Sequence, residues 1–281
     1  VRITILGARG STPAPGDAFR RFGGHTSCIA ISADGGVPML LLDAGTGVRH
    51  VAAVLGDQPF RGTVLLGHLH WDHTAGLPFF SAGDRDDARV RVFVPRQPSA
   101  DDAVSLIVAT MSPPYFPITP DGLRGDWSFE WLDEGEHGIE VFTVTAREIP
   151  HAGGRTFGFR VSDPAGASLA YLSDHAPQAI GPGRSGVGVM HPAALELANE
   201  VDVLVHDAHF TRGELEAFSH YGHSCADYAA ELAAAAGARR LLLFHHHPDR
   251  TDDHVEAIVA ATRTWAGVAV DAAEEGMVID L

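Results

Sequence analysis

The segment GHLHWDHTAG at positions 67–76 places His68, His70, Asp72 and His73 within six positions, directly after the apolar run Val64-Leu65-Leu66. Along an extended strand residues i and i+2 point the same way, so His68 and His70 share a side while Leu69 faces the other. Asp72 and His73 follow in the turn, so four potential ligands converge at one strand end. Imidazole and carboxylate are the donor set expected for zinc, and positions left to water make such a site catalytic rather than structural.

The same design recurs along the chain. Apolar runs end abruptly in an ionisable residue at MLLLD (Asp43), TAREIPH (His151), LAYLSD (Asp174), DVLVHD (His206 and Asp207) and LLLFH (His245). If these strand ends share one edge of the fold, they build one site from residues distant in sequence, which is where α/β proteins usually place function.

The elements that must position these residues follow from periodicity and punctuation. Strands are expected at 2–6, 27–32, 39–42, 63–66, 90–94, 139–146, 156–161, 168–172, 201–205 and 240–244. Helices are expected after Thr74, around 100–111, and at 191–198, 225–236 and 253–264. Ser224 followed by Asp227 reads as a capping signal for the helix at 225–236, and Gly237 as its stop. MSPPYFPITP (111–120) and GPGRSGVGVM (181–190) exclude regular structure; they read as surface connections, the first also as a lid over the site. With no repeat or linker, the expectation is a single layered α/β domain over 1–281.

Composition narrows the function classes. With 45% hydrophobic and 20% charged residues the chain reads as a globular protein. No stretch approaches the ~18–20 consecutive apolar residues of a membrane span, and the first residues carry no secretory signal pattern, so a cytoplasmic protein without a membrane partner is expected. Cys28 and Cys225 are too few for a disulfide framework or a cysteine-rich zinc site. A formal charge of −16 disfavours long RNA or DNA as a partner. A small anionic substrate remains compatible with it, because bound cations would offset the charge locally.

The HxHxDH run, the later single His, Asp and His after strands, and the early LLDAGTG together resemble the metallo-β-lactamase superfamily across nearly the whole chain. The resemblance implies a four-layer αβ/βα sandwich with two divalent metal ions at its rim, zinc first, with manganese or iron also accepted by this donor set. By similarity to the two-metal phosphodiesterase branch, His68, His70 and His151 would hold the first metal. Asp72, His73 and His245 would hold the second, Asp174 would bridge both, and Asp43 would orient ligands from behind, with His206 placed alongside it. VLVHDAHF (203–210) and GHSCADYAAEL (222–232) look like the HEAT and HST segments of ribonuclease Z, with Asp207 in place of the glutamate and Cys225 in place of the threonine. His223 and Asp207 then inherit the roles of proton donor to the leaving oxygen and its acidic partner, joining Asp72 as catalytic residues. His223 precedes a helix N-terminus that disfavours imidazolium, and a nearby carboxylate would restore the charged form.

Departures from that branch set the substrate. The tRNA-gripping arm of ribonuclease Z is missing, since His151 and Asp174 are only 23 positions apart. The resemblance therefore implies hydrolysis of a small phosphodiester, cyclic ones included. Two cations about 3.5–4 Å apart would lower the pKa of a shared water toward ~7, and His223 would protonate the departing alkoxide. An acyl hydrolase for an ester, lactone or thioester is the alternative, and a noncatalytic metal-binding module a third reading. Arg9 and Arg155, in the glycine-rich GARGS and HAGGRTFG, are the candidate phosphate contacts. His175 and His209 neighbour the inferred site, His246 and His247 read as solvated or supporting groups, and a homodimer is suggested by analogy with the branch.

Overall fold

A computed structural model describes residues 1–33 and 35–281. The strands are β1 (Arg2–Gly7), β2 (Cys28–Ser32), β3 (Leu40–Leu42), β4 (Arg61–Leu65), β5 (Arg89–Pro95), β6 (Asp126–Leu132) and β7 (Gly135–Ile139). They continue with β8 (Phe142–Ile149), β9 (Thr156–Ser162), β10 (Ser168–Leu172), β11 (Val203–Asp207), β12 (Arg240–Phe244), β13 (Ala269–Ala272) and β14 (Val278–Asp280). Helices are α1 (Val51–Val54), α2 (Trp71–Thr74), α3 (Ala103–Val108), α4 (Pro192–Ala198), α5 (Leu215–Phe218), α6 (Ala226–Ala236) and α7 (Asp252–Arg263). Among the described residues, none is long and apolar enough to cross a membrane.

Two seven-stranded sheets form, in the orders β14-β1-β2-β3-β4-β5-β6 and β13-β12-β11-β10-β9-β8-β7. Strands β3 to β6 run parallel to their neighbours, as do β10 to β13, whereas the remaining pairs are antiparallel. Side chains alternate across each strand and define four layers. Leu40 and Leu42 face Phe159, Tyr171, Val205 and Phe244 between the sheets. Leu41, Val64 and Val92 pack outward on Val48, Val51 and Ile107. Leu172, Leu204, Leu241 and Leu243 pack outward on α4, α6 and α7 through Leu197, Ala229, Leu232 and Val255. This is the αβ/βα sandwich, and its parallel runs bring the C-terminal ends of β3, β4, β10, β11 and β12 to one rim.

Local differences from the sequence reading have physical reasons. The expected strand at 139–146 is two strands, because Glu140 takes a left-handed φ of 54° and turns the chain between Ile139 and Phe142. Strands β6, β13 and β14 are additional; β6 reads Trp127, Phe129 and Trp131 alternating with Ser128 and Glu130, a half-buried pattern. The helix expected after Thr74 is instead the single turn α2 that ends there. The capping expectation at Ser224 fails: Cys225 occupies the N-cap of α6 without a side-chain cap, and Ser224 donates its amide to Asp207. Gly237 does end that helix, at a left-handed φ of 70°.

Candidate metal centre

His68 and His70 lie in the extended segment after β4, and His70 caps α2 with φ −63° and ψ 153°. The helical turn that follows swings Asp72 and His73 inward, so that both are buried. His151 follows β8, Asp174 follows β10, and His245, with a left-handed φ of 57°, follows β12. These seven residues form two groups, His68, His70, His151 and Asp174, and Asp72, His73, Asp174 and His245, whose donor atoms within each group lie within 4.8 Å of one another.

Asp174 belongs to both groups, one oxygen to each. Its Oδ1 lies 3.0 Å from His73 Nε2 and 3.4 Å from His245 Nε2, while its Oδ2 lies 3.6 Å from His151 Nε2 and 3.7 Å from His68 Nε2. Asp72 Oδ2 completes the second group, 3.0 Å from His245 Nε2 and 3.3 Å from His73 Nε2.

The ring nitrogens facing away from the centre are fixed by the protein. His73 Nδ1 meets Asp43 Oδ2 at 2.6 Å, and His151 Nδ1 donates to Gly222 O at 2.6 Å, leaving each Nε2 directed inward. Asp43, itself at a left-handed φ of 59°, also accepts the Gly67 amide at 2.7 Å and the Tyr171 hydroxyl at 2.7 Å. Among the described residues, the buried atoms His68 Nε2, His73 Nε2 and Asp174 Oδ1 make no well-aligned hydrogen bond. Buried polar atoms that converge yet do not pair are expensive unless a cation sits among them, so the donor set fits divalent metals.

The electrostatics agree. Burial opposes charge on Asp174, yet His245, His73 and His68 hold its carboxyl well below the usual range. Burial would lower His73 too, but Asp174, Asp72 and Asp43 outweigh it and keep its proton well above the ordinary imidazole range. The field that retains a proton there would hold a cation in its place.

Next to this cluster stands His223, 7% exposed, its Nδ1 3.0 Å from Asp207 Oδ2 and 3.7 Å from Asp174 Oδ2. Asp207 is fully buried and also accepts the amides of His175, His209 and Ser224. Burial alone would lower the His223 pKa, but Asp207, with Asp174 and Asp72 beyond it, raises it to about 9. The ring packs against His209, 4.3 Å away, and His245, 4.8 Å away, which are themselves 5.2 Å apart. His223, Ser11, Leu69, His70, Trp71, Asp72 and Asp174 line a cleft of about 430 Å³.

Some expected residues lie elsewhere. Arg9 does not reach a phosphate: it is fully buried, donating to Gly23 O at 2.7 Å and Arg250 O at 2.7 Å, and it braces the loop after β1. Arg155 pairs with Glu148 at 2.7 Å and Glu134 at 3.4 Å, so its charge is committed. His206 does not support a ligand; it is next to Asp207 on a strand, so its ring faces the other side, 3.0 Å from His175 and against Tyr228. The sequence reading missed Tyr171, whose hydroxyl in an otherwise aliphatic buried strand signals the need of a partner. It also missed the Ser11 amide, which donates to Asp72 Oδ2 at 2.7 Å through backbone geometry that no side-chain pattern announces. The 111–120 segment walls a separate apolar cavity of about 620 Å³ with Leu77, Phe79 and Ile107, which shares Trp71 with the metal cleft.

A sandwich with a two-lobed His/Asp cluster on its rim is the architecture of metal-dependent hydrolases of the metallo-β-lactamase fold. Residues 39–246 match the β-lactamase superfamily domain model. An uncharacterized Mycobacterium tuberculosis protein is 31% identical over 223 residues, covering 75% of this chain and 68% of its own. Ribonuclease Z of Natronomonas pharaonis is 27% identical over 270 residues, covering 83% of each. The crystal structure of a diphosphatase from the PhnP family superposes with a TM-score of 0.65 at 17% identity, covering 100% of this chain and 97% of the other. The chain belongs to the β-lactamase superfamily.

Proposed function

We propose that the protein is a metal-dependent phosphodiesterase acting on a small anionic phosphodiester, cyclic ones included. The observation that carries this reading is the buried Asp207–His223 pair at the edge of the cluster, 3.0 Å apart. Two divalent cations, zinc by donor type with manganese or iron as substitutes, would be held by the seven residues and supply an activated water and charge neutralisation at the phosphoryl oxygens. His223, raised to about 9, carries its proton at neutral pH and is placed to give it to the departing oxygen from Nε2, because Asp207 holds Nδ1. An alkoxide leaving group needs that proton; Asp207 keeps it available without itself touching the substrate. Asp43 and Tyr171 hold His73 in place throughout.

The substrate's size and charge follow from the surroundings. The cleft of about 430 Å³ shares Ser11, His70 and His223 with a neighbouring one of about 760 Å³, room on the scale of a small molecule. The connection from His151 to Asp174 consists of β9, β10 and their turns, leaving no inserted arm to grip RNA, and the formal charge of −16 repels long polyanions. Support for phosphorus chemistry also comes from the names of the relatives, a ribonuclease and a diphosphatase.

The test is a panel of alkyl phosphodiesters, cyclic nucleotides, lactones, thioesters and β-lactams at fixed metal content, with His223→Ala beside the wild type. Phosphodiester turnover lost in that variant while metal content stays constant supports the proposal. Preference for a lactone or thioester would favour the acyl hydrolase reading, for which the apolar cavity sharing Trp71 is the specific observation.

A further inference from the structure

We propose that His25, His50 and Glu275 form an additional divalent-metal site, of the zinc type, that clamps the loop after β1 to the body of the protein. The three residues come from distant parts of the chain. His25 lies in the loop between β1 and β2, His50 ends the 3-10 turn Thr46–His50, and Glu275 lies in the turn between β13 and β14. One donor atom from each nevertheless lies within 4.8 Å of the other two. Two imidazoles and one carboxylate are a zinc donor set, with the remaining position left to water.

The donor accounting points the same way. His50 Nε2 is buried and, among the described residues, has no hydrogen-bond partner, although the His25 ring sits 4.7 Å away at an interplanar angle of 77°. An edge-on pair of rings 4.7 Å apart with an unpaired nitrogen is poor hydrogen bonding but suits two ligands sharing one cation. His25 Nδ1 meets Thr46 Oγ1 at 3.1 Å, which fixes that ring by its outer nitrogen and leaves Nε2. Glu275 is held by the amide of His25 itself. Its carboxylate occupies space that only a glycine leaves open: a Cβ on Gly23, whose φ is 87°, would lie 2.1 Å from Glu275 Cδ.

Charge completes the picture. Burial lowers both histidines, with Arg49 adding to it, so they stand as neutral imidazoles, the form that binds metal. Partial burial raises Glu275, against the pull of the His25 amide and of Arg9, so a half-buried carboxyl lacks a full counter-charge. A cation among the three supplies it. The loop thus anchored carries Ser11, whose amide donates to Asp72, so occupancy stabilises the rim without entering the reaction.

The site stands apart from the strand-end cluster and its reaction, and its test reads metal content and stability. His50→Gln and Glu275→Gln, dialysed beside the wild type and measured by elemental analysis, are each expected to hold one equivalent of zinc fewer. Each should retain turnover at saturating metal and melt roughly 5 °C lower than the wild type in zinc, with the gap closing under chelation. Equal zinc in variants and wild type overturns the proposal. Should the variants fold poorly, zinc-edge anomalous diffraction from wild-type crystals decides instead, with no more zinc than the proposed sites require. A peak among His25, His50 and Glu275 is expected, and its absence overturns the proposal.

Discussion

At the scale of single residues, the decisive contrast is between imidazoles that burial holds neutral and His223, which is held charged. Burial lowers His68 and His151, which suits ligands, whereas Asp207 lifts His223 to about 9 against the same burial. A proton donor of this kind works below its pKa, so turnover of an alkyl phosphodiester should fall as pH rises through about 9. Asp207→Asn removes the largest contribution opposing burial, and the falling limb is expected at lower pH; kcat profiles of the two proteins measure it, and superimposable limbs would refute the pairing. His223→Ala should lower kcat by roughly 10²–10⁴-fold for an alkoxide leaving group, but far less for a nitrophenolate, which departs without a proton. Tyr171→Phe removes a hydrogen bond to Asp43 behind His73, and roughly 10–100-fold weaker metal binding is expected by competition with a chelating dye. The gathering of the seven His and Asp residues and of the Asp207–His223 pair was legible because each ends an apolar run or repeats a family motif. Tyr171 and Ser11 were not, since one contributes from inside a strand and the other through a backbone amide.

At the scale of elements, the parallel runs β3 to β6 and β10 to β13 explain why the residues that end strands gather at one rim. Parallel strands carry their C-terminal ends to the same edge, so a residue that follows each one reaches a common rim. Alternation along each strand sorted the sandwich into layers, and it would have set His206 on the far side from Asp207 had it been applied past the strand's apolar part. The short closing strands β13 and β14 were not legible because three or four residues hold too little pattern to register a period. The buried Arg9 was misread for a related reason, since a glycine-rich loop says nothing about where its side chains finish. That loop is tightly built: a Cβ on Gly10 would lie 2.3 Å from His245 Nδ1. Gly10→Ala must therefore displace the His245 ring, and the second metal group should lose affinity while His68, His70 and His151 keep theirs. Binding isotherms with zinc would separate the two groups; unchanged binding at both would show that the ring has room to move.

At the scale of the whole molecule, the rim concentrates buried charge that the two sheets cannot neutralise by packing. Asp43, Asp72 and Asp174 lie within reach of His73, and with no cation bound the proton on His73 is what balances them. The folded pKa of His73 is raised above its unfolded value, so its contribution to stability is fully present below about 6.5 and is lost as pH rises through the folded value. Metals held at the rim, as proposed, would replace that proton with a charge that does not titrate in the same range. Chelated protein should therefore lose melting temperature more steeply than metal-loaded protein as pH increases above about 6.5, because in the loaded form only the share due to His223, raised to about 9, is lost over that interval. Calorimetry on both forms across that range measures the difference. Parallel curves would mean that the cluster's charges are balanced by something other than bound cations, and the metal-centre reading would fall with them.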